Sequence, residues 1–282
     1  MKEINYAFSI GSNCDSTFFI RHYKLSKFSG PFDWVYVDFN SALKNIEQKF
    51  ERYTKDLFYY NPDLDYTNMS IEELKLHLVN KEYHNQVDYR LENISDIEFE
   101  LHPNKSYVKD FYINQHFLPD EITPNLVQWN NSCWFPHHDF KDKDKNNVLK
   151  NKINVFNRVY GSDKDNILFI GFNKFETIQD AYYEMRNITR SYHQSDLKGD
   201  LFYIILAPTN TPPEIIKHEN VTFFLKHFEG VYQFETDDKH PEAFEYLNKI
   251  YKLNILEKPN DIEYLPAPNE HPDIIDYYDL GY

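Results

Sequence analysis

Two unbroken apolar runs, Asn166-Ile-Leu-Phe-Ile-Gly-Phe172 and Asp200-Leu-Phe-Tyr-Ile-Ile-Leu-Ala-Pro208, constrain the fold of this chain more than any other feature. Each is short, rich in β-branched and aromatic residues, and has no polar alternation, the pattern of a strand covered on both faces. Val221-Thr-Phe-Phe-Leu225 reads as another such strand. Thr177 to Tyr192, between the first two, carries apolar residues at helical spacing, as do Asn146 to Val159 before them and Glu242 to Tyr251 after them. Strands separated by helical patterns of about ten to fifteen residues predict βαβ units and a parallel sheet. The expected fold class is α/β, a Rossmann-like three-layer fold with a mainly parallel sheet.

Tyr6-Ala-Phe-Ser-Ile10 near the amino terminus would be the first strand of the same sheet, with Gly11 to Asn13 as a turn. Asp15 or Ser16 would cap a following helix that ends near Lys24 to Ser26. This places Cys14 at the carboxyl edge of the sheet, where such sheets put ligands. A helix N-terminus offers free N–H groups and the positive end of a dipole, so a thiol there can be held as thiolate beside an oxyanion site. The alternative is a cysteine that packs as a small hydrophobe.

Further along, Ser41 resembles an N-cap for a helix from Ala42 to Tyr53, and Ser70-Ile-Glu-Glu-Leu resembles a capping-box helix. Residues from about 57 to 130 give mixed signals and read as a helical or irregular insertion in one domain spanning residues 1–282. From about residue 259 the chain is acidic, proline-rich and irregular, suited to strapping across a surface.

Composition excludes several functions. The 282 residues carry a formal net charge of -15 and no basic block, which disfavours nucleic-acid binding. Mean hydropathy is -0.69 and no apolar stretch is long enough for a membrane span. Seven glycines leave no glycine-rich nucleotide loop. Two cysteines, Cys14 and Cys133, do not make a disulfide framework, and a reducing, cytoplasmic compartment is the expectation. Oligomeric state is not legible.

A thiol nucleophile needs a base, and the candidate lies in Cys133-Trp-Phe-Pro-His-His-Asp-Phe140. Histidine takes a proton at neutral pH, and an acceptor on its second nitrogen fixes the tautomer. In an extended segment His138 and Asp139 point to opposite faces, so His137 or His138 would serve the thiol without Asp139 as direct orienter. Cys133, His137, His138 and Asp139 also own metal-binding atoms, but their spacing matches no common zinc pattern, and neither metal nor cofactor is expected. Asp33, in Phe28-Ser-Gly-Pro-Phe-Asp-Trp34, suits a turn stabiliser.

Ser9-Ile-Gly-Ser-Asn-Cys14, Arg21, the Phe28 to Trp34 turn and His138-Asp-Phe140 together resemble a microbial and viral family described as putative papain-like cysteine peptidases. The resemblance implies Cys14 as nucleophile and His138 as base. The papain signature Cys-Gly-Ser/Ala-Cys-Trp/Tyr is absent. Gly11-Ser-Asn-Cys14 is also similar to the Gly-Asn-Cys turn of polysaccharide acyltransferases related to the SGNH hydrolases, which implies an SGNH-like α/β sheet.

The reading is a cysteine-dependent acyl-transfer enzyme, hydrolase or transferase. Cys14 attacks a carbonyl, His138 or His137 moves the proton, and the Asn13 amide with nearby backbone N–H groups holds the oxyanion. Ser12, Asn13, Arg21, Asp33 and Trp34 are the candidate binding residues, with the Pro31 to Trp34 turn as one pocket wall. The substrate is a small molecule, a glycan or a peptide. The rival reading is a glycan-processing or sugar-binding protein whose cysteine is merely packed.

Overall fold

The computed structural model describes residues 1–11, 14–51, 53, 57–60, 111–114, 133–134, 143–209, 212–228 and 239–266. These fall into two compact units, one of residues 1–33 with 144–282 and one of residues 34–143. The Ser70 helix and most of the 57–130 insertion lie outside the described residues.

The first unit is built on a five-stranded sheet: β2 (Tyr6–Ser9), β7 (Ile167–Lys174), β8 (Asp200–Ala207), β10 (Val221–His227) and, at the edge, β9 (Glu214–His218). The first four are parallel and β9 is antiparallel to β10. Register runs Tyr6 to Ile167, Phe169 to Leu201 and Val221 to Leu201. The α/β fold and its mostly parallel sheet are therefore as the apolar runs require. Every residue of β8 is buried, because it is central and both of its faces are covered. Gly171 has a steric reason to lack a side chain. A Cβ there would lie 2.2 Å from ring carbons of Tyr203 on the neighbouring strand.

Helices cover both faces. α1 (Cys14–His22) and α5 (Pro241–Ile250) bury Phe19, Ile20, Ala243 and Leu247 against Ala7, Ile170, Phe202 and Phe224. α3 (Lys143–Tyr160) packs on the other face, where the Phe156 ring meets those of Phe8 and Phe169. α4 (Ile178–Gln194) joins it as the crossover from β7 to β8. Tyr160 of α3 donates its hydroxyl to the Asp196 carbonyl just after α4 and accepts from the Lys198 N–H. Thr177 caps α4 by accepting from the Asp180 N–H.

A parallel two-stranded ladder, β1 (Lys2–Ile4) with β11 (Tyr251–Leu253), ties the two ends of this unit together. Lys2 reaches the buried Asp200 at 2.6 Å. Beyond β11 the chain straps along α3. Asn151 donates to the Leu265 carbonyl and accepts from its N–H, and Arg158 pairs with Asp261 at 2.7 Å.

The second unit contains an antiparallel four-stranded sheet in the order β3 (Tyr36–Val37), β6 (Cys133–Trp134), β5 (Phe111–Asn114), β4 (Leu57–Tyr60). Its helix α2 (Phe39–Glu47) corrects the expected cap. Asp38, not Ser41, is the N-cap, accepting from the Ser41 N–H at 3.0 Å. Among the described residues, no helix is long and apolar enough to cross a membrane.

Candidate active site

Cys14 is the first residue of α1, half-buried, five positions beyond the last residue of β2. The expected caps, Asp15 and Ser16, instead lie inside the first turn. Ser16 has another use. Its buried hydroxyl lies 2.7 Å from the buried Ser9 hydroxyl at the end of β2 and donates to the Gly11 carbonyl at 3.3 Å. The Gly11 N–H donates back to Ser9 Oγ at 3.3 Å. Gly11 sits at φ 91°, backbone that favours glycine, so it can turn the chain sharply between strand and helix.

Arg21 and Asp33 are brought together. Arg21, in the last turn of α1, donates from Nη2 to Asp33 Oδ2 at 3.3 Å and also to Ser29 Oγ. Asp33 is buried, and the same Oδ2 accepts from the Gly30 N–H at 3.1 Å. A buried carboxylate needs both charge and hydrogen-bond partners, and the pair meets that need by clamping the turn to α1. Phe28 anchors the other side of this turn against the Tyr6 and Phe8 rings. Pro31, Phe32 and Asp33 belong to the first unit, while Trp34, buried and at φ 65°, opens the second.

Cys133 is fully buried in β6, and burial pushes its thiol well above the usual range, reinforced by the Asp38 carboxylate. Asn45 Nδ2 donates to Cys133 Sγ at 3.4 Å and to the Ser41 carbonyl at 2.9 Å. Such a thiol stays protonated and unreactive at neutral pH.

Ser12, Asn13, His137, His138 and Asp139 lie outside the described residues. Among the described residues no group of three or more His, Cys, Asp or Glu side chains is arranged to hold a metal ion. The sequence reading missed the Ser9–Ser16 pair. Its signal was a serine inside an otherwise apolar buried strand, which demands a polar partner.

No curated protein and no solved structure matches the chain. One family model does, over residues 5–195, more than half of the chain, and its description supports a cysteine-dependent hydrolase in general. The match takes in β2, α1, the Phe28 to Trp34 turn, the second unit, β7 and α4. The chain belongs to the family described as putative papain-like cysteine peptidase (DUF1796).

Proposed function

We propose that this protein is a cysteine-dependent hydrolase of peptide or ester carbonyls, with Cys14 as nucleophile and His138 as base. The observation that carries the reading is the contrast between the two thiols. Cys14 begins a helix at the carboxyl edge of a parallel sheet and is half-exposed, whereas Cys133 is buried and held as the neutral thiol. The family's description favours peptides as the substrate class.

In the proposed reaction the Cys14 proton passes to an imidazole nitrogen of His138, and Sγ attacks the carbonyl carbon. Backbone N–H groups at the start of α1, with the Asn13 amide, receive the developing negative charge. Collapse of this intermediate breaks the bond to the leaving amine or alcohol, which takes the proton from His138 and leaves a thioester on Cys14. Water, deprotonated by the same histidine, then releases the acid; an acyl acceptor in place of water would make the enzyme a transferase. His137 is the neighbouring residue of lesser effect, and Asp139 does not orient His138 directly. Ser12 and Trp34 complete the proposed binding residues. Arg21 and Asp33 act by holding the adjoining turn.

Alkylation with iodoacetamide, mapped by peptide mass, is the first test. Cys14 is expected to react with a midpoint well below the free-thiol value of about 8.5. Preferential labelling of Cys133 overturns the mechanism. With a thiol-reactive ester as substrate, Cys14→Ser is expected to abolish turnover without loss of the fold. His138→Ala should slow it by about 10²–10⁴-fold and His137→Ala far less. Equal losses from both would point to damage of the segment rather than to a base.

A further inference from the structure

We infer that Phe18 is a substrate-binding residue that selects apolar acyl groups, an inference that deepens the proposed reaction and rests on Cys14 being the nucleophile. The burial pattern divides α1 into two stripes. Ser16, Thr17, Phe19 and Ile20 are buried, and Phe19 and Ile20 join the core under the sheet. Cys14, Phe18 and Arg21 follow one another along the other stripe, and each is half-buried. Residues one helical turn apart are neighbours, with about 5–6 Å between their Cβ atoms. A long helical side chain also leans towards the helix N-terminus and covers the turn before its own Cα. For Phe18 that turn is the one that Cys14 begins.

The surface beside the thiol therefore carries an aromatic ring. A helix packed on a sheet ordinarily turns polar side chains outward, whereas Phe18 packs against the core and keeps part of its surface accessible. Arg21, next along the stripe, has its charge balanced by Asp33 and also donates to Ser29. The stripe thus offers a ring, rather than a cation, to a substrate side chain. Contact between that ring and an aromatic or long aliphatic acyl group removes apolar surface of both from water, with a gain that grows with the area covered. An acetyl group is too short to reach a ring one turn away. Selectivity for longer apolar acyl groups follows, with Phe18 holding the group beside Cys14 Sγ and taking no part in proton transfer.

Two reagents with the same reacting carbon and the same leaving group separate selection from packing. Iodoacetamide and N-benzyl iodoacetamide are compared on Cys14, mapped by peptide mass, with glutathione as the reference thiol. Relative to glutathione, wild-type Cys14 is expected to favour the benzyl reagent roughly tenfold, because its ring covers apolar surface on Phe18. Phe18→Ala should bring the ratio of the two rates down to the glutathione value. Phe18→Leu, which keeps apolar bulk at the position, should retain most of the preference. Loss of packing alone would change both rates together and leave their ratio as it was. A wild-type ratio equal to that of glutathione overturns the inference without recourse to any variant, as does a preference that survives in folded Phe18→Ala. In both cases a low wild-type midpoint for alkylation leaves Cys14 standing as nucleophile. A wild-type Cys14 that titrates as an ordinary free thiol would instead remove the nucleophile and the selecting role together.

Discussion

At the residue scale, the two thiols stand in contrasting surroundings. Cys14 lies at a helix start and half in solvent, while Cys133 is enclosed next to a carboxylate. The sequence made Cys14 legible through strand, turn and helix in immediate succession. The Ser9–Ser16 contact behind it was hidden, because serine near a helix start reads first as a cap and the partner seven residues upstream is set by three-dimensional closure. Asp33 was legible as a turn stabiliser, but its guanidinium partner twelve residues away was not. Gly171 offers a stability test at this scale. Gly171→Ala puts a methyl group into the Tyr203 ring, and urea unfolding should show a loss of about 1–3 kcal/mol, the usual cost of overpacking.

At the element scale, the buried strands were readable and the helix ends were not. Apolar runs long enough to cross the sheet announced β7, β8 and β10. β9, Glu214-Ile-Ile-Lys-His218, escaped notice because an edge strand is half-solvated and carries charge. The helix ends were misjudged because their usual glycine is missing. α1 stops with Lys24 at φ 54°, the Leu25 N–H reaching back to Ile20 O and the Lys24 N–H to Arg21 O. α2 stops the same way, with Lys49 at φ 51°, the Phe50 N–H on Asn45 O and the Lys49 N–H on Ile46 O. Both are Schellman closures with lysine where glycine is favoured. Because Lys24 is exposed, Lys24→Gly removes the left-handed penalty without losing packing. It is expected to raise stability by about 0.5–1 kcal/mol, measured by thermal unfolding. The cap of α2 carries its own pH dependence. Burial raises the Asp38 carboxyl to about 6 from 3.8, against the hydrogen bonds from Ser41. The folded unit therefore favours the protonated acid, and this contribution is present at acid pH and lost as pH rises through about 6. Asp38→Asn keeps an acceptor for the Ser41 N–H and drops the charge. It should raise the melting temperature at pH 8 and have little effect near pH 4.

At the scale of the whole molecule, the opposite titration sits in the first unit. His240, buried at the start of α5 and beside the Phe172 ring, is lowered from 6.5 to about 4, chiefly by burial and then by Lys226. Its neutral form is the folded one, so stability is lost as pH falls from 6.5 through about 4. Calorimetry of wild type and His240→Gln between pH 7 and pH 4.5 should show a steeper acid loss in wild type; parallel curves would mean that His240 does not titrate in this range. The same scale shows why the sequence conveyed the sheet better than its assembly. Apolar runs name strands, but the pairing of Lys2 to Ile4 with Tyr251 to Leu253 depends on which distant segments meet.

That distance has a consequence for how the protein is made. Tyr6 to Ser9 leave the ribosome well before their partner, Ile167 to Ile170, which is synthesised some 160 residues later. At about 5–20 residues per second, an apolar strand waits roughly 10–30 s for its neighbour. The second unit, contiguous in sequence, can close its own sheet during that interval. Tyr251 to Leu253 arrive later still, so the ladder they form with Lys2 to Ile4 closes only after the strands of the larger sheet have been made.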